Sequence, residues 1–176
     1  MGGLISMAML AMLVIYALLA IPLKSYLQPL IIMSVIPFGA VGAIVGHLIM
    51  GVDLVFFSIL GIVALSGVVV NASLVLVDYI NKQRLYGDDL TSIVGQAGTV
   101  RFRPIVLTSI TTFVGLAPLM MDPAIALAMF VPMAVSLGFG VLMGTAITLF
   151  LVPALYLVVE DILIAVGRND EKRVTD

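Results

Sequence analysis

Charged residues cut this chain into long apolar stretches, and those stretches set its architecture. A helix that crosses about 30 Å of hydrocarbon needs roughly 20 predominantly apolar residues. The spacing predicts spanning helices over Leu4–Ile21, Gln28–Met50, Leu54–Ile80, Pro104–Met120 and 124–159. The first is expected to stop at Pro22, before Lys24. The third is expected to end at the polar cluster Asn81-Lys82-Gln83-Arg84, which opens the only long polar stretch, Asn81 to Arg103. The middle of that stretch, about 88–100, is mildly amphipathic and predicts a short helix on the membrane surface. Pro104 suits the first position of the fourth spanning helix. No charge occurs between Asp122 and Glu160, so the fifth helix is expected to be long, or bent near Pro132, with a polar tail after it from 163 to 176.

The basic residues orient this bundle. All eight, Lys24, Lys82, Arg84, Arg101, Arg103, Arg168, Lys172 and Arg173, fall on one side of a five-span layout. The excess of lysine and arginine in cytoplasmic loops places that side in the cytoplasm, the N-terminus outside and the C-terminus inside. The loops on the other side, at Gly51-Val52-Asp53 and Met121-Asp122-Pro123, are tiny. An odd number of helices with an outside N-terminus is unusual for a transporter built from internal repeats, and predicts one half of a larger assembly.

Composition agrees and removes other chemistries. The chain is 62% hydrophobic and 10% charged, with a mean hydropathy of +1.29, whereas a water-soluble domain carries about 25% charged residues. The fold class expected is therefore an all-α membrane bundle whose main partner is the lipid bilayer. With no cysteine and a single histidine, disulfides, thiolate catalysis and His-rich metal clusters are excluded, and no cofactor is expected. No basic stripe suggests nucleic acid, and no nucleotide-binding loop, nucleophile elbow or zinc-helix signature suggests an enzyme.

Polar residues deep in a span are costly and mark candidate sites. Asn71 and Ser73 lie in the middle of the third predicted helix, and Asp78 follows Asn71 by two turns on the same face. Thr108, Thr111 and Thr112 share a face of the fourth, with Ser109 beside them. If those helices pack together, Asn71, Ser73 and Thr108 form a polar seam; the plainer alternative is that they bond between or along helices as packing glue. Asp78 is expected at the interface, either reaching the headgroups or pairing with Lys82. His47 is expected to be solvated near the outer end of the second helix. Arg101 and Arg103 serve either as anchors to anionic lipid or as contacts to another helix bundle. Gly42 with Gly46, and Gly140 with Gly144, recur at the four-residue spacing that lets helix backbones approach closely.

Five strings then resemble one family. Ala17 to Met33, Ile36-Pro-Phe-Gly-Ala-Val-Gly-Ala, Gly67-Val-Val-Val-Asn-Ala-Ser-Leu-Val-Leu-Val-Asp, Arg101-Phe-Arg-Pro-Ile-Val-Leu-Thr-Ser and Val152-Pro-Ala-Leu-Tyr, in this order, are similar to resistance–nodulation–division (RND) multidrug efflux pumps of the hydrophobe/amphiphile type. The resemblance implies that the helices correspond to the eighth to twelfth of such a pump. It further implies proton-driven export from a homotrimer in the bacterial inner membrane, with the N-terminus periplasmic.

The same resemblance carries the family's relay lysine onto Asn71, its relay threonine onto Thr108 and its cytoplasmic arginine onto Arg101, with Ala72 at a position often polar in relatives. Asparagine cannot hold the charge, and the family's aspartate pair and periplasmic domains have no counterpart here, so the relay is degenerate. The expectation is a partial or split pump subunit that pairs with an N-terminal half. The alternatives are a small membrane protein that oligomerises or modulates an intact transporter, or an inactive truncated fragment.

Overall fold

The computed structural model describes residues 2–86, 89–121 and 129–165, and every regular element among them is a helix. In chain order these are α1 (Gly2–Leu23), α2 (Gln28–Met33), α3 (Ile36–Met50), α4 (Phe56–Arg84), α5 (Leu90–Met121) and α6 (Val131–Ala165). Gln28–Met50, α4, α5 and α6 are each long and apolar enough to cross a membrane, while the apolar stretch of α1 is the shorter Met9–Leu23.

Three boundaries differ from those expected. The helix expected over Gln28–Met50 is split at Ser34–Val35 into α2 and α3. Pro37 lacks the N–H that would bond the carbonyl of Met33, and the Ser34 hydroxyl donates to the Ile31 carbonyl at 2.6 Å. Helix α4 runs past Ile80 to Arg84, because Asn81 and Arg84 find partners on neighbouring helices. The amphipathic stretch from Leu90 is helical but continuous with the apolar part, so α5 passes through Pro104 instead of starting there. Helix α6 begins at Val131 with Pro132 in its first turn, where a missing N–H leaves no bond unmade. The expected start of the last helix at 124, and the tail beyond 165, lie outside the described residues.

The bundle is organised around α6, which packs against α3, α4 and α5. Small residues make these contacts close. A methyl group on Gly46 would lie 2.5 Å from Phe139 Cβ of α6, and one on Gly42 would overlap Met143. Turning to α4, a methyl on Gly144 would lie 2.6 Å from Val69, and one on Gly140 would overlap Leu65. Gly61 of α4 is pressed on backbone, with the Met133 carbonyl 2.7 Å from where its Cβ would be. Helix α1 stands apart from α6: it packs on α2 and α4, burying Leu19 and Leu23 while Met9, Leu10 and Leu13 remain exposed.

Candidate functional site

The middle of α4 and the middle of α5 converge on α6 and leave a cleft of about 200 Å3. Asn71 and Ala72 of α4, Pro104, Ile105 and Thr108 of α5, and Thr145 of α6 are among its walls. Asn71 and Thr108 are both exposed. The Asn71 amide makes no hydrogen bond among the described residues, whereas the Thr108 hydroxyl donates to the Pro104 carbonyl one turn back at 2.8 Å. Thr111 and Thr112 likewise donate to carbonyls of their own helix. Such bonds satisfy a hydroxyl locally without joining it to a neighbouring helix.

The three-residue seam expected of Asn71, Ser73 and Thr108 does not form. Residues 71 and 73 point about 200° apart around a helix, and Ser73 is buried against α6. Its hydroxyl lies 3.3 Å from that of Thr148 and 3.0 Å from the Val69 carbonyl. The interhelical partner of α5 is Ser109, which bonds the hydroxyl of Thr145. Two hydroxyl pairs, Ser73 with Thr148 and Ser109 with Thr145, therefore hold α4 and α5 to α6 behind the cleft.

Toward the end of α4 and the start of α5 the charged residues separate into distinct roles. Asp78 pairs with Lys82 at 2.7 Å across one turn of α4, both side chains well exposed. The Arg101 guanidinium sits 5.0 Å from the centre of the Tyr79 ring, a cation–π contact between α5 and α4. Its Nε is buried and has no acceptor among the described residues. Arg103 is exposed.

Sequence reasoning missed the strongest polar cluster. The amides of Gln28 and Asn81 bond reciprocally at 3.0 and 2.8 Å, and the Tyr156 hydroxyl donates to Asn81 Oδ1 at 2.7 Å. Arg84 donates to that hydroxyl at 3.1 Å and grips both oxygens of Glu160 at 2.6 and 3.0 Å. The cluster joins α2, α4 and α6, with Glu160 only 7% exposed. Seven residues, two turns, separate Gln28 from Val35 at the α2–α3 break, so the cluster also anchors the short arm of that break. The available signal was a glutamate at the end of a long uncharged run, opposite a cluster of polar residues closing another helix.

The expectation for His47 is also corrected. It is 3% exposed, with Nδ1 2.9 Å from the Ala43 carbonyl and Nε2 2.8 Å from the Ser58 hydroxyl. A carbonyl can only accept, so Nδ1 carries a proton, and Nε2 faces the Ser58 hydroxyl. Ser58 in turn accepts from the Val55 N–H at 3.1 Å, which closes the start of α4 against α3.

Apolar rods long enough to span a bilayer, joined by buried hydroxyl pairs and closed by a polar cluster at each end, define a multi-pass helical membrane protein. The profile of the AcrB/AcrD/AcrF family matches residues 1–160, and the chain belongs to this family of RND efflux transporters. The chain is also similar to the crystal structure of a heavy metal efflux pump in two crystal forms. One matches at 26% identity with a TM-score of 0.76, over 85% of this chain and 15% of that chain. The other matches at 29% identity with a TM-score of 0.70, over 76% of this chain and 14% of that one. The chain thus spans a small fraction of the length of these pumps.

Proposed function

We propose that these helices form the C-terminal membrane half of a proton-driven RND efflux pump and supply the uncharged side of its relay. The observation that carries this reading is the cleft between α4, α5 and α6, where Asn71 and Thr108 open outward together. Asparagine and threonine can exchange hydrogen bonds with a titrating carboxylate but cannot store its proton. The carboxylates that bind and release protons then lie on helices outside these 176 residues. The cluster of Arg84, Glu160, Tyr156, Asn81 and Gln28 marks the cytoplasmic end, and the N-terminus is periplasmic by the distribution of lysine and arginine. The assembly expected is a homotrimer in the bacterial inner membrane.

Proteoliposomes test this directly. The chain alone should neither dissipate a pH gradient nor move a fluorescent amphiphile. With the acidic half of such a pump co-reconstituted, gradient-driven flux should appear, and Thr108→Val should lower it. Flux driven by the chain alone would overturn the reading, as would homo-oligomers that regulate an intact transporter without entering it.

The cargo has a second reading, favoured by the likeness to a heavy metal efflux pump at two crystal forms. Parallel flux assays with an amphiphilic dye and with a soft metal ion separate export of amphiphiles from export of metal.

A further inference from the structure

One turn of α5 carries the hydroxyls of Thr108, Ser109, Thr111 and Thr112. The three threonines donate to carbonyls of their own helix, and only Ser109 crosses to α6, where it meets the Thr145 hydroxyl. A hydroxyl has a single proton to give. That of Ser109 goes to the Ile105 carbonyl at 3.0 Å, so between the helices Thr145 donates and Ser109 accepts. Ser73 and Thr148 differ, because each also donates to a carbonyl of its own helix. Among the described residues Thr145 has Ser109 as its only hydrogen-bond partner. The two are 7% and 5% exposed, and Thr145 is also part of the cleft wall.

The other contacts of this stretch of α5 with α6 are apolar. The Phe113 ring meets Phe139 edge-on at 5.3 Å, and Met120 lies against Gly138. A side chain turned out of such a seam exchanges one apolar neighbour for another, because lipid tails are as apolar as leucine. Pro104 and Pro118, both inside α5, each lack the N–H of one ladder bond, so the turn with Ser109 lies between two softened points. Successive helical residues project about 100° apart. With Ser109 aimed at Thr145, Thr108 projects about 100° to one side, and Arg101, eight residues back, about 80° to the same side. That side faces α4: Arg101 stacks on Tyr79, and Thr108 shares the cleft wall with Asn71. Any turn of α5 about its axis moves Thr108 and Arg101 together.

We propose that the bond from Thr145 to Ser109 is the rotational stop of α5, and that these two are positioning residues which hold Thr108 open to the cleft. The use made of Thr108 rests on the relay reading above; the rotational setting of α5 is a property of this chain alone.

The chain has no cysteine, so nitroxide labels can be placed on single introduced thiols from residue 106 to 114, Ser109 excepted, with the full chain in lipid vesicles. Oxygen accessibility should rise and fall along this stretch with the helical period of about 3.6 residues. Thr145→Val keeps the shape of the side chain and removes its proton donor. It should lower the contrast between the most and least accessible positions about twofold, as loss of one interhelical bond permits. Ser109→Ala should do the same, whereas Thr145→Ser, which keeps the hydroxyl, should preserve the wild-type pattern. A label at Leu48 of α3, 78% exposed, should read alike in every variant and so report an intact bundle. Wild-type phase and contrast in both Thr145→Val and Ser109→Ala would overturn the proposal while leaving the relay to its flux assay. Equal loss of contrast in Thr145→Ser and Thr145→Val would overturn it too, since side-chain shape and not the bond would then set the rotation. Flux driven by the chain alone strikes the relay reading without altering this pattern.

Discussion

His47 shows how a polar residue is accommodated inside an apolar bundle: each ring nitrogen has one partner, and the partner hydroxyl has its own donor. Replacing Ser58 with Ala leaves Nε2 buried without a bond, so a loss of about 1–3 kcal/mol is expected. A double-mutant cycle with His47→Leu should give a coupling near 1 kcal/mol, within the range for interhelical bonds in membranes. Unfolding in detergent measures both. Asn71 behaves oppositely. Its amide bonds nothing among the described residues, so Asn71→Leu should change the stability of the isolated chain by less than about 0.5 kcal/mol. A larger loss in the same assay would show that the cleft is a buried network. The sequence marked both residues as polar positions in apolar runs, but not which one is enclosed. Enclosure depends on the smallness of the residues around each position across the helix contact, and local hydropathy does not report that.

At the scale of elements, α6 is seated by glycines whose missing side chains are the contact. Gly61→Ala must displace the Met133 carbonyl and Gly46→Ala the Phe139 ring, so each should cost about 1–3 kcal/mol. Gly67→Ala, on an open face of α4, should instead stabilise by about 0.5–1 kcal/mol by favouring helix. Thermal unfolding of the three variants gives the comparison. In the polar cluster that joins α2, α4 and α6, Asn81→Leu removes the partner of both Gln28 and Tyr156, with an expected loss of about 1–2 kcal/mol. Hydrogen exchange should show that loss first at α2, the short arm beyond the break. The existence of the apolar helices was legible from the distances between charges. The α2–α3 break, the continuity of α5 and the extension of α4 were not. Pro37 interrupts a helix where Pro104 does not, and Asn81 and Arg84 prolong one only because α2 and α6 bring them partners.

For the whole molecule, the absence of cysteine makes topology directly testable with single introduced thiols. Lys24→Cys and Gln96→Cys should react with an impermeant maleimide only from the cytoplasmic side, and Val52→Cys only from the opposite side. Labelling of Lys24→Cys and Gln96→Cys from different sides would remove the proposed orientation. How the rods are assembled was not legible in the sequence, because the spanning stretches are apolar around most of their circumference. The organising rod is also the last of the described helices to be synthesised. Until α6 leaves the ribosome and enters the bilayer, the glycines of α3 and α4 have no counterpart, Ser109 of α5 lacks Thr145, and Arg84 waits for Glu160. Biogenesis is therefore back-loaded: the earlier helices reach the membrane as loosely associated spans, and a nascent chain halted before Val131 presents quality-control proteases with an unclosed bundle.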